Sequence, residues 1–192
     1  MVRAWNGFLP LHSIVSAFPR GSFMGRAAEK YVMQIAVIGA GDCTGSEYGT
    51  ARKLGELIAG EGAVLICGGL SGVMEAACRG AREKGGITVG ILPGTGDGNR
   101  YLAITIRTGL GHARNVIVVQ SADAVIAVGG KHGTLSEIAI ALKAGIPVFG
   151  LGSWDIEGVV PCTGPEEAVA RALAAAHRSA GSRIGEGGRE SP

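Results

Sequence analysis

The residues most capable of chemistry lie in Gly129-Gly130-Lys131-His132-Gly133-Thr134-Leu135-Ser136-Glu137. Glycines at 129, 130 and 133 can take backbone angles closed to other residues and let a ligand approach the main chain. Leu135, Ile138, Ala139 and Leu142 then recur at helical spacing, so the chain turns into a helix at this corner. The unpaired N–H groups of a first helical turn and the positive end of its dipole favour a phosphate, and Thr134 adds a hydroxyl. Thr134 and Glu137 also have capping-box spacing, which on its own would only finish a helix end. Capping does not account for the three glycines, so a phosphate-binding corner is the expectation.

Other positions are weaker. Gly68-Gly69-x-x-Gly72 has a similar build and precedes Met74, which suggests a ligand held between two helix starts. Gly39-x-Gly41 follows another apolar run, but Thr44 stands where a dinucleotide motif has its third glycine, and no acidic residue closes the next strand. Lys131 invites a Schiff-base reading, yet a lysine in a glycine loop is more often solvated; His132 reads as a loop residue. Arg114, in Gly111-His112-Ala113-Arg114-Asn115, could carry a guanidinium to a phosphate, although composition alone favours a solvated arginine. Cys43, Cys67, Cys78 and Cys162 are scattered, and neither they nor the four histidines have metal-ligand spacing. No metal and no cofactor are expected, and reduced thiols point to a cytoplasmic protein.

The elements that must position these residues alternate. Strands are expected at 34–38, 63–67, 87–92, 103–106, 124–128 and 147–151. A helix bearing Tyr48, Ala51, Leu54 and Ile58 follows a Thr44–Glu47 capping box. A second carries the small residues Val73, Ala76, Ala77, Gly80 and Ala81, which would let it sit close to the sheet. Segment 111–122 has strand-like composition at Val116-Ile117-Val118-Val119, but a buried parallel strand follows it and needs a crossover, which makes it a helix. A last helix is expected at 166–176. The pattern predicts an α/β fold, a single Rossmann-like doubly wound, mainly parallel sheet with helices on both faces, with every glycine corner at the carboxyl ends of the strands.

The 192 residues, 46% of them hydrophobic, suffice for one domain, expected at 33–178. Residues 1–32 read as a leader that is disordered or was added upstream of the natural start, and 179–192 as a disordered tail. A net charge of +2 without a basic run gives no footprint for nucleic acid or an anionic membrane, and no apolar run is long enough for a span.

Cys67-Gly68-Gly69-Leu70-Ser71-Gly72-Val73-Met74, Val89-Gly90-Ile91-Leu92-Pro93, His112-Ala113-Arg114-Asn115 and Gly129 to Glu137 together resemble, in order and spacing, the LOG (Lonely Guy) superfamily over roughly residues 34–152. The resemblance is greatest to the branch that includes molybdenum cofactor carrier proteins. It implies a Rossmann-like nucleotide-binding fold, and in the enzymes of the superfamily a phosphoribohydrolase activity that splits nucleoside 5′-monophosphates into base and ribose 5-phosphate. Carried over by position, Gly129, Gly130, Gly133 and Thr134 hold the phosphate. Gly39, Gly41, Gly68, Gly69, Gly72 and Met74 line the pocket, and Arg114 and Glu137 are catalytic. The enzymes have Pro-Gly-Gly where this chain has Val128-Gly129-Gly130, and lysine where it has Asn115. The alternative is a carrier that binds a phosphorylated pterin without chemistry. A third, weaker reading is an interaction module related to single-strand DNA processing proteins of similar fold, against which the missing basic stripe and missing aromatic stacking positions count. The expected partner is thus a nucleoside monophosphate or a phosphorylated pterin, in a homodimer or higher even-numbered homo-oligomer.

Overall fold

The computed structural model describes residues 31–186; the expected leader, up to residue 30, and residues 187–192 lie outside the described residues. Seven strands form one all-parallel sheet: β1 (Gln34–Gly39), β2 (Val64–Cys67), β3 (Thr88–Leu92), β4 (Ile104–Arg107), β5 (Ala124–Val128), β6 (Val148–Leu151) and β7 (Val159–Pro161). Their order is β4-β3-β2-β1-β5-β6-β7. The chain therefore builds outward from β1 in one direction, returns, and builds outward from β5 in the other. A crevice opens between the carboxyl ends of β1 and β5, the topological switch point where such sheets bind ligands.

Helices cover both faces. On one lie α1 (Gly45–Gly60), α2 (Val73–Glu83) and α5 (Pro165–Glu186), over Ile35, Val37, Leu65 and Ile126; on the other lie α3 (Asn115–Gln120) and α4 (His132–Lys143), over Ala36, Ile38, Ile66 and Val125. Burial on both faces explains why β5 is an unbroken apolar run. Each fully buried Ile or Val contributes about 1.5–3 kcal/mol by leaving water.

Thr44 and Glu47 form the expected capping box at the start of α1. The crossover at 111–122 is helical as topology required, a 3-10 turn (Gly111–Arg114) running into α3. Three expectations need correction. The small residues of α2 admit α1 as well as the sheet: a Cβ at Gly80 would strike the Arg52 carbonyl, and one at Gly55 the Ala77 carbonyl. The final helix runs on to Glu186 instead of ending near residue 176, so the tail expected from 179 starts as helix. At the other end, Tyr31 already belongs to the fold, its hydroxyl donating to Asp123 at 2.6 Å. The edge strand β7, three residues long, was not expected at all.

Candidate functional site

The β5 corner has the backbone that its glycines suggested, at two of three positions. Gly129 and Gly130 have φ of 52° and 109°, in the region that favours glycine. A Cβ at Gly129 would collide with Glu47 Oε1, and one at Gly130 with the Thr134 side chain. Gly133 is different: its φ is not positive, and the space above its Cα is open. It is an ordinary residue of the first turn of α4, and its lack of a side chain keeps the approach to that turn clear.

Thr134 and Glu137 do not form a capping box. The N-cap of α4 is Lys131, which makes no side-chain cap, so the first-turn N–H groups keep their capacity for an anion. Thr134 lies within the first turn, 2% exposed.

Glu137 instead faces Arg114, with Nη1 to Oε1 at 3.4 Å. Each residue is 7% exposed. The arginine reaches this point because the 3-10 turn after β4 carries it across the ends of the strands. Asn115 then ties the turn to α4, its Nδ2 donating to Ser136 Oγ at 3.1 Å while Ser136 donates to the Gly133 carbonyl at 2.8 Å. Under the guanidinium lies Gly68, where any Cβ would run into it. The solvated arginine favoured by composition is therefore a buried one.

The pairing is incomplete. Arg114 Nε is buried and has no hydrogen-bond partner, and its one bond to the carboxylate is long. An unmatched buried guanidinium donor costs about 1–3 kcal/mol or more, which an anionic ligand would recover. Burial pushes the Glu137 carboxyl up to about 7, against the opposing pull of Arg114.

The remaining candidates divide by role. Gly39, Gly41 and Gly72 join the β1 corner to the start of α2. The Val73 N–H donates to the Ala40 carbonyl at 3.1 Å, Ser71 Oγ donates to the Gly41 carbonyl at 2.8 Å, and Gly72 has φ of 65°. The first amide of α2 is thus already occupied, whereas the start of α4 has no side-chain cap. The Gly69 carbonyl accepts from the Asn99 N–H at 2.8 Å, and its φ is 72°. Met74 packs in the core beside α1. Lys131 meets Asp42 at 3.3 Å across the crevice, both strongly exposed, an ion pair of little energetic weight. Among the described residues no three of His, Cys, Asp and Glu gather as a metal site, and no helix is long and apolar enough to cross a membrane.

Two clefts open beside this corner. One, of about 440 Å³, is lined by Glu47, Gly129, Gly130, Ser153, Trp154 and Asp155 among others; the other, of about 260 Å³, runs from Gly129 toward Cys162 and Pro165. Neither is lined by Arg114 or Glu137; what they share with the β5 corner is glycine backbone. The sequence reading missed Ser153, Trp154 and Asp155 and took Glu47 only for a cap. The available signal was a tryptophan three residues past the end of an apolar strand, at the carboxyl edge of the sheet.

The chain is similar to an uncharacterized protein of Archaeoglobus fulgidus, 56% identical over 140 residues that are 72% of this chain and 93% of that one. Among solved structures it is similar to the molybdenum cofactor binding protein of Rippkaea orientalis, with 39% identity, 76% of this chain and 98% of that one covered, and a TM-score of 0.72. It is also similar to the molybdenum cofactor carrier protein of Chlamydomonas reinhardtii, with 37% identity, coverage of 74% and 98%, and a TM-score of 0.70. Residues 32–180 match the SLOG cluster4 family, and with these neighbours the chain belongs to that family, within the LOG and molybdenum cofactor carrier superfamily.

Proposed function

We propose that the protein binds a phosphorylated small molecule at the switch point, with the phosphate on the first turn of α4 and Arg114 as its charged partner, and holds it as a carrier. The observation that carries this is the buried guanidinium with an unpartnered Nε beside an uncapped helix start. The similarity to proteins that bind or carry molybdenum cofactor supports the same reading. Asn115 supports it too: where the superfamily resemblance expects a lysine, a neutral amide is used up in a bond to Ser136.

Ligand-dependent melting tests it. A ligand that binds only the native state at a hundred times its Kd adds about 2.7 kcal/mol, a rise of roughly 5–10 °C for a domain of this size. Ribose 5-phosphate, AMP or a phosphorylated pterin should produce such a rise, reduced in Thr134→Ala. No rise with any of the three would remove the phosphate corner.

Hydrolysis of the N-glycosidic bond is the second reading, favoured by Glu137. A buried carboxyl that titrates near 7 can exchange a proton at neutral pH, and its ionised form can stabilise positive charge developing on a ribose.

We infer an even-numbered homo-oligomer as well, a reading supported by the exposed apolar edge of the sheet. Ile104 and Ile106 on β4 are 49% and 44% exposed, and Leu110 and Val116 are exposed as well. Both faces of a parallel sheet are normally covered, and a second copy would complete this one. Ile106→Glu should turn a dimer or larger even-numbered oligomer into monomers by light scattering; a monomeric wild type at micromolar concentration would refute the assembly.

A further inference from the structure

The larger cleft over Gly129 is poorly suited to a phosphate. Glu47 and Asp155 line it, and no lysine or arginine does, so a bound phosphate would be repelled by both carboxylates. The same carboxylates suit a ligand edge that carries N–H donors. Glu47 Oε2 is engaged in the α1 cap, accepting from the Thr44 N–H at 2.7 Å, while Oε1 lies over Gly129 without a donor among the described residues. Asp155 has no hydrogen-bond or ion-pair partner among the described residues.

The wall beside them is aromatic. Trp154 is 36% exposed, and the imidazole of His132 stands 6.3 Å from its ring centroid at a tilt of 37°. The loop is held in place: Ser153 Oγ donates to the Gly129 carbonyl at 2.7 Å. An exposed indole on a pinned loop is a platform for a flat ring. Gly130 lines this cleft, and a Cβ on it would run into the Thr134 side chain. The platform and the phosphate corner are therefore contiguous.

We propose that this cleft is the ring subsite of the same ligand: a planar 2-amino-4-oxo heterocycle, as in guanine or a pterin, stacks on Trp154 and donates two adjacent N–H groups to Asp155. This rests on the phosphate reading above. A carboxylate with both oxygens available matches two neighbouring donors. Adenine offers a donor next to an acceptor, which would set a lone pair against the second oxygen.

The test uses the full chain with Trp5→Phe, so that Trp154 is the sole tryptophan, titrated with GMP, AMP, ribose 5-phosphate and a pterin monophosphate. GMP and the pterin should quench Trp154 fluorescence and bind about tenfold or more tighter than AMP. In calorimetry, Trp154→Ala should weaken both by about tenfold while ribose 5-phosphate changes less than twofold, and Asp155→Asn should remove the preference over AMP. Quenching by GMP alone, or by the pterin alone, identifies which of the two rings the site takes. Ribose 5-phosphate binding with equal affinity for GMP and AMP, or an unaffected Trp154→Ala, overturns the ring subsite and leaves the phosphate reading standing. GMP binding that depends on Trp154 while ribose 5-phosphate fails to bind keeps the ring subsite and sinks the phosphate corner. No binding by either GMP or the pterin overturns the ring subsite.

Discussion

Arg114→Met is expected to abolish tight binding of a phosphorylated ligand while leaving the protein folded. Methionine preserves much of the apolar stem over Gly68 and removes the charge. Truncating one member of a buried, hydrogen-bonded charge pair costs about 2–5 kcal/mol in binding, roughly 30-fold to several thousand-fold in Kd. The fold should be largely spared, because Glu137 already titrates near 7 and can take up a proton once its partner is gone. Isothermal titration with ribose 5-phosphate, alongside a denaturation curve, separates the two effects. A Kd within threefold of wild type would show that the guanidinium serves the fold and not the ligand.

Glu137→Gln should make the protein more stable at pH 8 and leave its stability at pH 5 nearly unchanged. The sign follows from the proton balance. The carboxyl is raised from 4.5 to about 7 in the folded protein, so between those values the native state binds more protons than the unfolded chain. Stability then falls as pH rises through this window, and the deficit is complete above about pH 7. An upward shift of this size corresponds to about 3 kcal/mol, an order-of-magnitude figure for so buried a group. Glutamine is neutral at every pH and keeps an oxygen for Arg114 Nη1, so it should relieve that cost only where the wild type is ionised. Urea denaturation at the two pH values measures it, and an equal effect at both would place the origin of the change elsewhere. The variant also distinguishes the two functional readings. If wild type releases base from AMP, the substitution should slow release on the order of a hundredfold or more. If wild type binds AMP without releasing base, the carrier reading stands, and the buried carboxyl is a positioning group for Arg114.

The alternation of apolar runs and helical periods was enough to determine the α/β class, the parallel sheet and the place of the glycine corner at 129–134. Each of these follows from local patterns: a doubly covered strand must be apolar throughout, and a crossover must precede a parallel neighbour. The capping box at Thr44 was legible for the same reason, since its partners are three residues apart. At Thr134 and Glu137 the same spacing misled. The choice between a cap and an ion pair depends on what stands opposite, and Arg114, 23 positions away, stands there only after α3 has packed on α4. Composition made Arg114 a surface residue because charged groups are rarely buried without a partner; the partner, and the bare Gly68 beneath it, come from other elements. The cleft at Trp154 was hidden for a related reason. It joins the loop after β6 to the cap of α1, more than a hundred positions away, and that meeting exists only once β1 and β5 lie side by side.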